Sequence, residues 1–226
     1  MLYTLDTACN TNETGNVFPQ IQKMSKGYNY SSNDSVYSIS ESTNNFPLTN
    51  PNLDSFILSD KSKLTDLLSN SLTGNQGFLV SEKLKTIFER FEIAPHRFYP
   101  AQIYQKGTKI EKYYWMHIIC DLTSFISYEK SIFFIYKDYS IDLGNINIKT
   151  KEEFIEKKKI LKEANPGHTV TIWSKKICFN KDYKIKYDLF SIGLFDSSFY
   201  ISEELKKEIL NNKISGCDIK ISKKLE

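Results

Sequence analysis

The side chains able to do chemistry are few and scattered. The three histidines, His96, His117 and His168, lie far apart in different local contexts. A metal site needs imidazoles clustered with one another or with carboxylates, so no metal ligand is assigned. Four cysteines stand at 9, 120, 178 and 217, with no C-x-x-C pair. That spacing argues against a zinc site or disulfide framework and for reduced, mostly buried thiols. A cysteine nucleophile needs a neighbouring base and oxyanion donors, and Cys120 beside Asp121 is not such a signature. The sequence holds no nucleophile elbow, phosphate-binding glycine loop, dinucleotide fingerprint or H-E-x-x-H helix. Paired carboxylates such as Glu203-Glu204 fall at a helix start, where they serve the helix dipole. The residues therefore assign no catalytic position and no cofactor. An enzyme whose site is assembled only in three dimensions, from residues such as His117, Asp121 or Glu129, stands as one alternative.

Charge bounds the partners. Thirty basic and 27 acidic residues give a net charge of +3, and only Arg90 and Arg97 are arginine. Base readout and phosphate clamping favour the bidentate guanidinium, so this balance weighs against a nucleic-acid partner. Residues 1–60 hold two basic groups, Lys23 and Lys26, against six acidic ones, so the basic excess falls in the remainder. That leaves weak nucleic-acid binding as a second alternative. Lys157-Lys158-Lys159 interleaves with glutamates and reads as a solvated helix face. In the stretch 181–190, KDYKIKYDLF, an extended strand would put Tyr183, Ile185 and Tyr187 on one face and Lys184 and Lys186 on the other. No apolar run approaches membrane-spanning length. The N-terminal MLYTLDTACN lacks the cation and apolar stretch of a leader. A cytoplasmic protein without membrane contact is expected.

Elements must position these residues. The chain has 226 residues, 40% hydrophobic and 14% aromatic, with only 9 Gly and 6 Pro. At this size a folded chain buries about 70% of its surface. Residues 22–53 are rich in Ser and Asn and read as loop, with a short strand near Val36–Ile39. Asp54–Leu58 reads as a strand. Ser59 or Asp60 then caps a helix carrying Leu64, Leu67, Leu68 and Leu72, ended by Gly74-Asn75-Gln76-Gly77. Phe78–Val80 is a strand, and Ser81 caps a helix with Leu84, Ile87, Phe88 and Phe91 on one face. Arg97–Tyr104, Tyr113–Asp121, Ser131–Lys137, Ile141–Ile148 and Thr169–Ser174 read as strands, the fourth split by a turn at Gly144. In Tyr113–Asp121 both alternating faces are apolar, so a central strand covered on both sides is expected. Thr150 and Glu153 form a capping box for a helix to Ala164, stopped by Asn165-Pro166-Gly167.

One internal echo stands out. Residues 80–98 (VSEKLKTIFERFEIAPHRF) and 201–219 (ISEELKKEILNNKISGCDI) align at an offset of 121 with five identities in nineteen positions. Each reads as strand, Ser cap, amphipathic helix, tight break, strand. The two units are expected at related places, within one continuous sheet. The fold class expected is α+β: a mixed, largely antiparallel sheet with a few short amphipathic helices and these two related strand–helix–strand units. The organisation expected is a strand and loose region, 1–53, packed on a main body, 54–226.

The order of these pieces resembles a known family. Its elements are Phe56-Ile57-Leu58, Leu64-Thr65-Asp66-Leu67-Leu68 and Leu79 to Lys85, then Phe98-Tyr99-Pro100, Tyr113 to Asp121, and Ile201-Ser202-Glu203 through Gly216. The chain is similar over about residues 54–221 to a bacterial family, first described as a domain of unknown function, of immunity proteins of polymorphic toxin systems. A related immunity family shares the pattern. The resemblance implies a non-enzymatic cytoplasmic protein that binds and neutralises a cognate protein toxin. It transfers no catalytic residue. Trp115, His117 and Asp121 are its partner-contact candidates, and strand packing and a turn hydrogen bond explain the same residues equally well.

Overall fold

The computed structural model describes residues 1–40, 45–74 and 76–225. Residues 41–44 of the Ser/Asn-rich stretch, and Asn75 of the expected helix stop, lie outside the described residues. The chain is mostly sheet, with few and short helices. The strands are β1 (Leu2–Thr7), β2 (Ile21–Met24), β3 (Phe56–Leu58), β4 (Leu67–Leu68), β5 (Gly77–Ser81), β6 (His96–Gln105) and β7 (Thr108–Ile118). They continue with β8 (Ile132–Lys137), β9 (Ile141–Ile146), β10 (Val170–Lys176), β11 (Leu189–Gly193), β12 (Asp196–Ser202) and β13 (Cys217–Ile221). The helices are α1 (Val36–Ser40), α2 (Glu82–Phe88), α3 (Lys151–Ala164) and α4 (Glu203–Asn211). None is long and apolar enough to cross a membrane.

Among the described residues three sheets result, with strand orders β2-β3-β6-β7-β5-β4, β11-β12-β1-β13 and β10-β8-β9. All pairings within them are antiparallel except β3 with β6. The echoed units lie in two different sheets, so the single continuous sheet expected from the sequence is corrected. The deeper relation is stronger than expected. In the first sheet β5 and β6 flank β7, and Val80 and Pro100 both face Tyr114. In the second, β12 and β13 flank β1, and Ile201 and Ile221 both face Tyr3. The offset of 121 carries Val80 to Ile201 and Pro100 to Ile221, so the two ladders share one register. Leu67 opposite Val80 likewise matches Leu189 opposite Ile201. Four strands of one sheet thus repeat in the other. The strand that closes the second copy comes from the start of the chain rather than from the residues after β13, a cyclic permutation of the repeat.

The two copies grip each other reciprocally. Their inner faces share one core, where the equivalent rings of Phe78 and Phe199 lie 4.6 Å apart between centroids. The Asp66 carboxylate, before β4, accepts from the Ser215 amide at 3.0 Å, in the break after α4. The Asp188 carboxylate, before β11, accepts from the Glu92 amide at 3.1 Å, in the break after α2. Arg90 and Glu208 join the two helix units at 2.6 Å. At this crossing Gly216 has φ +83°, and a Cβ there would meet the Leu67 carbonyl oxygen at 2.2 Å. Only glycine fits. Equivalent details persist at the surface: Lys85 sits 5.2 Å from the Tyr114 ring centroid and Lys206 3.8 Å from that of Tyr3.

The outer face of the first sheet forms a second core with residues 21–58. Trp115, Tyr99, Leu79 and Ile103 meet Ile21, Val36, Leu53 and Phe56 there. As expected, β7 is covered on both sides. The third sheet and α3 occupy the insertion between the copies, and Phe133, Phe154 and Phe195 pack together on its inner side.

Several local expectations are corrected. No helix follows Asp60: Leu67 and Leu68 pair with β5, because Asp66 and its neighbours are held by the second copy. Val36–Ser40 is a helix rather than a strand, its start tied by the Val36 amide to the Tyr28 hydroxyl at 2.9 Å. Gly144 does not split its strand, which runs Ile141–Ile146; with φ +105° it sits opposite Ile135 at a bulge. Residues 183–187 form no strand; Tyr183 instead stacks on Phe125 at 4.2 Å. In the capping box Thr150 accepts from the Glu153 amide at 3.1 Å, but the Glu153 carboxylate reaches the Lys149 amide, one residue earlier.

The two Ser caps test the repeat. Ser81 and Ser202 accept from Leu84 and Leu205 amides at 3.2 and 3.1 Å, but Ser81 also donates to Asp66 at 2.7 Å. Replacing Ser202 with Ala is expected to cost about 1 kcal/mol. Ser81→Ala is expected to cost roughly twice that, because the partly buried Asp66 loses a donor. Urea titration of both variants reads the difference; equal costs would contradict it.

Candidate interaction surface

Two of the residues singled out by the sequence lie inside. Trp115 and His117 are fully buried on the face of β7 that meets residues 21–58. The Trp115 ring lies between Tyr99 at 5.6 Å and His117 at 4.6 Å, both nearly parallel to it. Phe46 packs edge-on against His117 at 5.4 Å, and the Arg97 guanidinium covers Phe46 at 4.6 Å. Aromatic stacking and burial account for both residues.

Asp121 is different. It follows β7, is exposed, and lines a cleft. Its carboxylate accepts from the Thr123 amide at 2.9 Å and from the Thr123 hydroxyl, and pairs with Lys151 at 2.7 Å. Burial works to raise its pKa, but Lys151 and Thr123 outweigh that and hold the carboxyl below its ordinary range. The structure does not bring Asp121 together with Trp115 and His117, which face the opposite core. Beside it, burial pushes the Cys120 thiol up to about 11, so it is protonated at neutral pH. Among the described residues no three His, Cys, Asp or Glu side chains could hold a metal ion. His96 bonds the Ala94 carbonyl and His168 pairs with Asp138 on an exposed turn, far apart in the chain.

The internal repeat organises the clefts. One of about 460 Å³ includes Gln76, Ile118, Ser191 and Phe199 in its lining, together with Asp121 and Lys151. Another of about 480 Å³ includes Ser197, Thr7, Ser69 and Phe78. The repeat relates these two sets position by position, so the clefts lie on either side of the Phe78–Phe199 contact. Only the first reaches the insertion.

The third sheet presents the surface that sequence reasoning missed. Its inner face carries Phe133 and Ile172 into the core. Its outer face carries Phe134, Tyr136 and Trp173, the last 47% exposed. Tyr136 stacks on Trp173 at 5.3 Å and meets Phe134 edge-on at 5.9 Å. Lys175 lies over the Phe134 ring at 4.7 Å and pairs with Asp142 at 2.6 Å. Lys224 lies over Trp173 at 5.6 Å and pairs with Asp196 at 2.9 Å. Asp196 is buried and also accepts from the Tyr200 hydroxyl at 2.6 Å and the Ser198 amide at 2.9 Å. The alternation Ile172-Trp173-Ser174 was the available signal: with Ile172 in the core, Trp173 must point outward.

The chain matches the model of the immunity protein family Imm11 over residues 13–223, and it belongs to that family. The match reaches well into the N-terminal region, beyond the 54–221 of the sequence resemblance, in keeping with residues 21–58 completing the first sheet's second core. No curated protein matches the chain.

Asp196 ties β12, the segment after β13 and Trp173 together. Burial works to raise its pKa, but Tyr200, Lys224 and Ser198 prevail and lower it. A carboxylate with a depressed folded pKa stabilises fully above its unfolded value and loses that contribution as pH falls through the folded one. Stability is therefore expected to decline as pH drops below about 4. Asp196→Asn is expected to cost about 2 kcal/mol at pH 7 and to flatten part of that decline. Denaturant titrations from pH 7 to pH 2.5 check both; an unchanged pH slope in the variant would count against the assignment.

Proposed function

We propose that this chain is an immunity protein that binds a cognate bacterial toxin in the cytoplasm and neutralises it without catalysis. Family membership across residues 13–223 is the observation that carries the reading. The partly exposed aromatic strip around Trp173 supports a contact mode of action, since aromatics buried on binding dominate the energetics of protein interfaces. The Cys120 and Cys217 thiols, pushed up to about 11 and about 12 by burial, are poor nucleophiles and add nothing to an enzymatic alternative.

In this reading the fold is α+β, and residues 1–53 and 54–226 act as one globular unit. Of the three contact candidates, Asp121 is the one that would touch a partner directly, a role its exposed position in the cleft beside Lys151 supports. Trp115 and His117 serve by holding the first sheet rigid beneath residues 21–58. The polymorphic-toxin setting is part of this proposal.

Co-expression with the toxin encoded beside this chain is the direct test. The chain is expected to restore growth and to co-purify with the toxin as a stable complex. Growth arrest with no complex would sink the reading for that pair. A complex in which the chain chemically modifies the toxin, seen as a mass change, would overturn the non-enzymatic part.

A further inference from the structure

We propose that the Trp173-centred outer face of the inserted third sheet is the docking surface for the toxin, and that the toxin presents an acidic patch to it. This rests on the function proposed above and names the contact surface and the chemistry of the partner.

The face is apolar at its centre and basic at its rim. Trp173 and Ile132 of the sheet are 47% and 40% exposed, and Leu194 of the β11–β12 turn, which shares a hollow with Trp173, is 38% exposed. Lys158 shares a hollow of about 270 Å³ with Trp173 and Lys224, and Lys223 adjoins it in the next hollow. Lys175 and Lys224 have Asp142 and Asp196 as partners. Lys158 and Lys223 have no acidic partner among the described residues, so this rim keeps a positive excess. An apolar anchor in a rim of one sign selects a partner of the opposite sign and speeds its encounter.

The same geometry disfavours a nucleic acid. A base-stacking platform needs free ring faces. Here Tyr136 stacks on Trp173, and ammonium groups lie over both Trp173 and Phe134. The rings offer edges and the lysines offer charge, a surface suited to carboxylates and apolar side chains. The insertion has no counterpart in the duplicated core, so its outer face is free of the constraint that fixes the two repeated sheets.

The test uses the full chain and the purified toxin encoded beside it, with binding followed by surface plasmon resonance. Trp173→Ala is expected to weaken affinity roughly thirtyfold, as a hot spot does. Lys158→Glu/Lys223→Glu is expected to slow association about tenfold and to reduce its salt dependence. Lys26→Glu/Lys61→Glu, exposed reversals on the first-sheet side, is expected to change neither. Circular dichroism melts check that each variant folds. Wild-type binding with both surface variants unaffected would overturn this inference and leave the immunity function standing. No binding by the wild type would overturn both. Loss in Trp173→Ala of self-association or of oligouridylate binding, with toxin affinity intact, would assign the face to another occupant and overturn the proposal.

Discussion

The structure turns on the shared core between two equivalent sheets, with the Phe78–Phe199 contact at its middle. Each repeated sheet has an inner face that is apolar and cannot remain in water. The simplest way to bury two such faces is against each other. That requirement fixes the register of every strand in both copies, because a one-residue slip would turn Phe78 or Phe199 outward. It also fixes the helices. Leu84 and Phe88 of α2, and Leu205 and Ile209 of α4, are fully buried in the same core. The reciprocal Asp66 and Asp188 contacts then follow from placement. A carboxylate ahead of one edge strand meets free amides in the break after the other copy's helix, and such amides need an acceptor.

The outer faces are where the copies part. At the positions where the first sheet carries Leu79, Trp115 and Tyr99, the second carries Tyr200, Thr4 and Lys220. The first set is apolar and demands a cover, which residues 21–58 provide. The second is largely polar, and the cover is partial: Tyr200 is buried through Asp196 and Lys224, while Lys220 stays exposed beside a hollow of about 530 Å³. Of the Ser/Asn-rich region, which composition suggested was loose, Met24, Val36 and Leu53 are thus bound by a necessity located elsewhere in the chain. The buried Trp115 and His117 are part of the same necessity.

How much of this was legible follows from the range of each signal. The Ser-capped helices and their flanking strands could be read, because caps and helical spacing are local. The echo at offset 121 made one repeat visible. Its central strands could not be matched, because Tyr113-Tyr114-Trp115 and Leu2-Tyr3-Thr4 share one residue and stand in opposite order relative to their partners. The leucines between 64 and 72 imitated a helix, since their spacing fits one. What decides against it is Asp66, whose partner Ser215 is 149 residues away. Asp121 could be read as a turn-side hydrogen bond and is one. The Trp173 face was legible only in part, because the sequence shows alternation but not that, among the described residues, no strand or helix covers the outward side.

A duplicated core constrains its residues twice, once within each copy and once across the contact between them. A change at Phe78 disturbs Phe199, and a change at Asp66 disturbs the second copy's break. Surface that can vary with a partner has to lie outside this arrangement, yet be held firmly by it. The insertion meets both conditions. Its inner aromatics, Phe133 and Phe154, lock onto Phe195 of the second copy's β11–β12 turn, and Lys224 reaches from the segment after β13 to Trp173 while anchored on buried Asp196. The outer strip is therefore preorganised by groups whose own positions the repeat dictates. Preorganised side chains lose less entropy on binding. Under the contact mode of action proposed above, this is how a rigid, internally repeated scaffold would contribute to affinity.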